Sequence, residues 1–176
     1  MDTLRAFIGL GSNLDEPETQ VRSACGEIAA LPGVRLRCCS SLYRTAPVGY
    51  PDQPDFINAV AEVRTSLTPE QLLSGLRRIE QAHRRLRLLR NGPRTLDLDL
   101  LIYADVQQSA DALTLPHPRT HERAFVLLPL LEIAPDAVIP GRGAAAAWLP
   151  SCSDQGICRI DFPPQPGQCS ALSGFA

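Results

Sequence analysis

The stretch TLDLDLLIY, from Thr95 to Tyr103, limits what this chain can fold into more than any other. Leucine and aspartate alternate with period two, the period of an extended strand whose successive side chains point to opposite faces. Leu96, Leu98 and Leu100 then face a core, and Asp97 and Asp99 share the other face. Two carboxylates on one strand face, roughly 7 Å apart at Cα, repel one another unless something positive lies between them. A hard divalent cation meets that need, because Mg²⁺ takes one or two carboxylates together with substrate phosphates. A solvated outer face of an edge strand is the plainer reading of the same pattern.

The segment just before this strand is strongly basic. Arg77, Arg78, Arg84, Arg85, Arg87, Arg90 and Arg94 fall within eighteen positions, and Glu80 alone opposes them. In a chain of net charge −2 this is a local field suited to an anion. All 17 basic residues are arginine, and lysine is absent. That excludes a P-loop, a protein-kinase strand lysine and Schiff-base chemistry. Phosphate would be held by guanidinium forks, backbone N–H groups and metal. A solvated basic helix end is again the plainer alternative. Arg94 stands three residues before Asp97, so a phosphate clamp and a metal site meet at the start of one strand. Together they read as a Mg–nucleotide site. The slightly acidic balance argues against a general nucleic-acid binder.

Hydrophobic periodicity orders the rest. Leu4–Leu10 reads as a strand, 17–31 as a helix, Val34–Tyr43 as a strand, and Phe56–Val63 as an alternating strand. A helix then opens at Thr68, with Pro69 in its first turn and Gln71 three residues after the cap. The Leu96–Tyr103 strand follows. A last helix covers His121–Ile133, with an interruption expected at Pro129. The order β-α-β-β-α-β predicts an α+β, ferredoxin-like split βαβ fold. Its sheet is antiparallel, with helices on one face and extra C-terminal elements. Length and a 44% hydrophobic content suit a single domain over 1–160, with 161–176 as an unstructured tail rich in Pro, Gly and Ser. No apolar run reaches the length of a membrane span, and the N-terminus has no signal-peptide pattern. Six cysteines without a C-x-x-C pair read as reduced thiols in a cytoplasm, with Cys25 and Cys38 as core.

Three smaller features bear on ligands. GLGSNL places Gly9 and Gly11 after a strand, but Leu14 stands where a dinucleotide fingerprint needs its third glycine. A tight turn, with Asn13 or Asp15 starting the helix, is the better account. Phe56 and Asn58 share a strand face opposite Ile57, Ala59 and Ala61, a pairing suited to a flat heterocycle through stacking and edge hydrogen bonds. A satisfied core asparagine fits that position equally. His117 sits in a proline-bounded turn, where structural histidines are common.

Taken together, GLGSNL, SSLYRTAPVGYPDQPDFINAV, GPRTLDLDLLIY and LTLPHPRTHERAFVLLPLLEIAPD, in this order over residues 4–140, resemble the 6-hydroxymethyl-7,8-dihydropterin pyrophosphokinase family of folate biosynthesis. The resemblance implies transfer of the pyrophosphoryl unit of ATP to the pterin hydroxymethyl group, with AMP released and two Mg²⁺ ions engaged. It implies Asp97 and Asp99 as metal ligands and Arg85 and Arg87 as catalytic arginines of a closing loop. It implies Glu80, Arg87, Arg94, Leu100, Thr114, His117 and Arg123 at the ATP site. Thr45, Val48, Phe56, Asn58 and Phe125 fall at the pterin site, with Phe56 and Phe125 sandwiching the ring. It further implies a cytoplasmic monomer whose partners are these small molecules, with neither nucleic acid nor membrane. Asn91 stands where family members commonly carry a tryptophan, and Ala112 where a basic residue is expected. The alternatives are an RNA-binding module on a ferredoxin-like sheet, or a non-catalytic pterin-binding relative.

Overall fold

A computed structural model describes residues 3–47, 52–83 and 93–160. The elements are β1 (Leu4–Ser12), α1 (Pro17–Ala29), β2 (Val34–Cys39), β3 (Leu42–Thr45), β4 (Phe56–Thr65), α2 (Pro69–Ala82) and β5 (Asp97–Tyr103). There follow β6 (Gln108–Ala110), β7 (Leu113–Leu115), α3 (Ala124–Ile133), β8 (Val138–Ile139), β9 (Gly143–Ala144) and β10 (Ile157–Ile160). The main sheet runs β10-β3-β4-β1-β5, with β2 also paired to β4, and every pairing is antiparallel.

The expected split βαβ order holds, with two refinements. The segment read as one strand over Val34–Tyr43 is β2 and β3, broken at Ser40 and Ser41. Ser40 bonds Val60 through its backbone N–H, and its hydroxyl accepts from the Val60 N–H. The long β4 can therefore carry two short strands in succession along one edge. The second refinement lies in β5. Phe7 faces Ile102 but Ile8 faces Leu100, so Leu101 is an extra, bulged residue. Strict alternation would put Leu100 and Ile102 on one face. The bulge instead leaves Leu96, Leu98, Leu100 and Tyr103 on one side and Leu101 and Ile102 on the other.

Each face of the sheet has its own core. Ala6, Ile8 and Leu10 of β1 and Ile57, Ala59, Ala61 and Val63 of β4 meet Val21, Ala24 and Ile28 of α1 and Leu72, Leu76 and Ile79 of α2. The two helices of the repeat thus lie on one face, as expected. The C-terminal elements cover the other, where Phe7, Val60, Leu101 and Ile102 pack against Val126, Leu127 and Leu130 of α3. α2 begins with the capping box read from Thr68 and Gln71. α1 does not use Asn13 or Asp15 as its cap: Glu16 holds that position at φ 60°, without a side-chain cap bond. α3 runs through Pro129 rather than stopping there, because Ala124, Val126, Leu127, Pro129 and Leu130 are all buried and packing outweighs the one missing N–H. Its far end is fixed by Glu132, whose carboxylate accepts from the Ser41 N–H, the Ser41 hydroxyl at 2.7 Å and the Tyr43 hydroxyl at 2.8 Å. β10 was not legible in the sequence; it adds to the sheet edge by pairing with β3. Residues 161–176, expected as a tail, lie outside the described residues.

Candidate functional site

A cavity of about 340 Å³ opens on the α3 side of the sheet. Its floor is made by β4, β1 and β5, and its placement follows from register. Gly11 of β1 faces Asn58 of β4 on one side and Asp97 of β5 on the other. Gly9 likewise faces Val60 and Asp99. Alternation sends Ile8 and Leu10 into the helix-side core, so the positions turned to the cavity between β4 and β5 carry no side chain. A Cβ on Gly11 would stand 3.2 Å from Asn58 Oδ1, and one on Gly9 would stand 3.3 Å from the Leu101 side chain. The glycines that resembled a turn motif are a strand floor left open. Two glycines at alternate positions of a strand were the signal for this.

The β3–β4 side of the cavity is neutral. Asn58 and Thr45 are both buried, and the Asn58 amide donates to Thr45 Oγ1 at 2.9 Å, which fixes which way the amide points. Phe56 and Phe125 line the same cavity from β4 and from the first turn of α3. α3 is aimed there partly by Gln155, whose Oε1 accepts from the Ala124 N–H at 2.9 Å while its amide donates to Glu122 O at 2.8 Å.

The β5 side is charged. Asp97 and Asp99 point into the cavity together, as the strand period required. Arg94 pairs with Asp97, and its guanidinium also lies 5.9 Å from the Phe56 ring centroid. Arg123 lies 5.4 Å from the Phe125 ring. Each aromatic ring of the neutral side thus has an arginine of the charged side over it, a favourable cation–π arrangement. Burial and the nearby Arg119 lower the Arg123 pKa, while Asp99 and Asp97 hold it up. His117 is anchored by its own N–H to Leu101 O at 2.8 Å. Its Nδ1 accepts from the Arg119 N–H at 3.2 Å, so the neutral ring carries its proton on Nε2. Burial lowers its pKa, against the pull of Asp99, which favours this neutral form.

Thr45, Phe56, Asn58, Arg94, Asp97, Asp99, Arg123 and Phe125 therefore meet in one cavity, and His117 stands within its field. Glu80, Leu100 and Thr114, expected at the nucleotide site, do not line it. Glu80 is buried and accepts the Leu98 N–H at 2.8 Å, and Leu100 belongs to the helix-side core. Leu100 is on the opposite face of β5 from Asp97 and Asp99, where the alternation puts it, and Glu80 reaches the β5 backbone from α2. Thr114 stands half-buried on β7, opposite Ser109. Val48, Arg85 and Arg87 lie outside the described residues, as does Asn91. Sequence reasoning missed Gly9, Gly11, Arg119, Glu122 and Gln155 as cavity residues.

It also missed Asn13. This buried amide donates to Gln53 Oε1 and Pro54 O, each at 3.0 Å, and its carbonyl accepts from the Arg94 N–H at 2.8 Å. One side chain thereby joins the segment entering β4 to the segment entering β5. Only a chain folded on itself brings those positions together, so no local pattern could have disclosed the role.

Comparison with known proteins identifies the family. Residues 7–135 match the family model for 7,8-dihydro-6-hydroxymethylpterin-pyrophosphokinase. The 2-amino-4-hydroxy-6-hydroxymethyldihydropteridine pyrophosphokinase of Haemophilus influenzae is 47% identical over 158 residues, 90% of this chain and 99% of that protein. The protein of the same name from Pseudomonas aeruginosa is 42% identical over 156 residues, 89% of this chain and 96% of that one. Among solved structures, the wild-type Plasmodium falciparum HPPK-DHPS with pterin and p-hydroxybenzoate superposes with a TM-score of 0.64 at 14% identity. That match covers 85% of this chain but 43% of the longer one, and it speaks to the fold alone. The residues matched and the identity over nearly the whole chain make this protein a member of the 7,8-dihydro-6-hydroxymethylpterin-pyrophosphokinase family.

Proposed function

We propose that this chain transfers the pyrophosphoryl unit of ATP to the hydroxymethyl group of 6-hydroxymethyl-7,8-dihydropterin, releasing AMP. The observation that carries the reading is the row Asn58–Gly11–Asp97 across three strands. Asn58 and Asp97 are two strand spacings apart, roughly 10 Å. A flat bicyclic ring read along its polar edge by Asn58 and held by Phe56 and Phe125 lies over the bare glycine floor. Its substituent then extends toward the carboxylates.

Asp97 and Asp99 would hold Mg²⁺. An oxygen-only pair of carboxylates suits a hard cation that completes its shell with phosphate oxygens and water, and we assign two ions to it by family membership. When bound, such ions neutralise phosphate charge and lower the pKa of a coordinated hydroxyl. The chain's own groups do the rest. Arg94 and Arg123 neutralise phosphate oxygens from the cavity wall, and the Nε2–H of neutral His117 donates a hydrogen bond to one of them. Thr45 keeps the Asn58 amide in one orientation, so ring binding also aligns the hydroxymethyl group. Arg85 and Arg87 are assigned to a closing segment that excludes water. The domain is assigned to 1–160, and the enzyme to the cytoplasm as a monomer. Among the described residues no helix is long and apolar enough to cross a membrane.

The test is AMP production from ATP and Mg²⁺ that depends strictly on the hydroxymethyl pterin. AMP formed equally without pterin, or none with it, would refute the reading. Arg87→Ala should lower kcat by about 10²-fold while leaving pterin affinity nearly unchanged. A change confined to KM would mark Arg87 as a ground-state contact instead.

A further inference from the structure

The cavity uses none of the cysteines, yet two of them meet elsewhere. Cys25 of α1 and Cys39, the last residue of β2, stand with their sulfurs 3.1 Å apart. A backbone irregularity selects this pair. Leu36 faces Val63 while Cys38 faces Glu62, so Arg37 is an extra residue in β2. Leu36 and Cys39 consequently both pack on the helix-side core. Cys38 is buried on the other face, within the field of Arg5. Without the bulge, Leu36 and Cys38 would share a face and Cys39 would turn away from α1.

Cys25 and Cys39 are half-buried at the rim of the helix-side core rather than sealed within it. Cys39 donates its S–H to Cys25. That bond, aided by Arg22 one turn earlier on α1, lowers the Cys25 pKa against the effect of burial. The same bond raises the Cys39 pKa. Arg22, one turn before Cys25 on the same helix, favours negative charge on that sulfur, the side from which attack would start. Cys38 lies next to Cys39 in sequence but turns to the other face of the sheet. Cys152 is buried and donates to His121 O, and Cys158 is exposed on β10.

We propose that Cys25 and Cys39 form a peroxide-reactive dithiol that closes to an intramolecular disulfide between α1 and β2. The Cys25 thiolate attacks one oxygen of hydrogen peroxide and the O–O bond breaks. The departing hydroxide takes up a proton and leaves as water, giving a sulfenic acid on Cys25. The Cys39 sulfur then attacks the Cys25 sulfur. The S–S bond forms, the S–O bond breaks, and the hydroxyl leaves as water with the Cys39 proton. Two thiols and one peroxide become one disulfide and two waters. Each sulfur is oxidised by one electron and each peroxide oxygen is reduced by one.

The test uses the full chain carrying Cys158→Ser and Cys169→Ser, reduced, exposed to hydrogen peroxide, blocked with a maleimide and mapped by mass spectrometry. The expected product is a Cys25–Cys39 cross-linked peptide, with two fewer maleimide-reactive thiols. The apparent Tm should rise by about 5 °C and return on addition of dithiothreitol. In a Cys39→Ser variant, Cys25 should instead accumulate as sulfinic acid, whereas Cys25→Ser should leave Cys39 unmodified. A folded protein, judged by unchanged circular dichroism, that yields no such cross-link would overturn the proposal. So would pairing through Cys38, or Cys25 oxidising no faster than the buried Cys152.

Discussion

The two sides of the cavity are built on opposite principles. Around Asn58 the groups are neutral and held in place: the amide bonds Thr45, both residues are buried, and Phe56 and Phe125 line the same cavity. Around Asp97 and Asp99, charge is gathered at the cavity wall, two carboxylates and the guanidinium groups of Arg94 and Arg123 facing a common space. A neutral, pre-bonded wall recognises a ligand without needing the ligand's charge to change. A charged wall is worth most when charge moves, as it does at a phosphorus under attack. The difference separates binding from turnover, and the two should respond differently to mutation.

The largest expected effect is on the charged side. Asp97→Ala and Asp99→Ala should each lower kcat by about 10²–10³-fold or more with the fold retained, read as the initial rate of AMP formation beside an unchanged circular dichroism spectrum. A near-normal rate in either variant removes the metal assignment. On the neutral side, Asn58→Ala should raise the pterin KM by about 10–100-fold, the cost of a lost buried hydrogen bond, with a smaller change in kcat. Equal losses in kcat and kcat/KM would erase the division proposed between the two sides. Gly11→Val probes the floor between them. Its Cβ would already press on Asn58 Oδ1 at 3.2 Å, so pterin KM should rise by about tenfold while ATP binding changes little. Loss of ATP binding would place the nucleotide over Gly11 instead. The smallest effect is expected for Asn13→Ala, which uncouples the segments entering β4 and β5. A loss of about 1–2 kcal/mol in stability by denaturant titration, with kcat/KM down several-fold, is the anticipated result. An unchanged stability would deny Asn13 that coupling role.

The stretch from Thr95 to Tyr103 shows how far local pattern reaches. Alternation correctly put Leu96, Leu98 and Leu100 in the core and Asp97 and Asp99 on one outer face. The same rule erred past Leu100, because a bulge depends on what the partner strand offers. Leu100 packs on the helix-side core as the alternation requires, while Glu80 reaches β5 from α2 and accepts the Leu98 N–H, a contact the local pattern does not contain. Gly9 and Gly11 carried a visible signal, two glycines at strand period, whose meaning appeared only once β4 and β5 flanked them.

By itself, the sequence determined the period of each element, the capping of α2, the pairing of two acids on one strand and the absence of lysine chemistry. These follow from covalent spacing and side-chain type, which are local. Tertiary structure decided that β1 runs between β4 and β5, that Asn58, Gly11 and Asp97 form one row, that Asn13 bridges two loops, and that Cys39 rather than Cys38 meets Cys25. Each of these rests on strand register. Register is fixed by burial summed over both faces of the sheet, a quantity that no single segment of the chain contains.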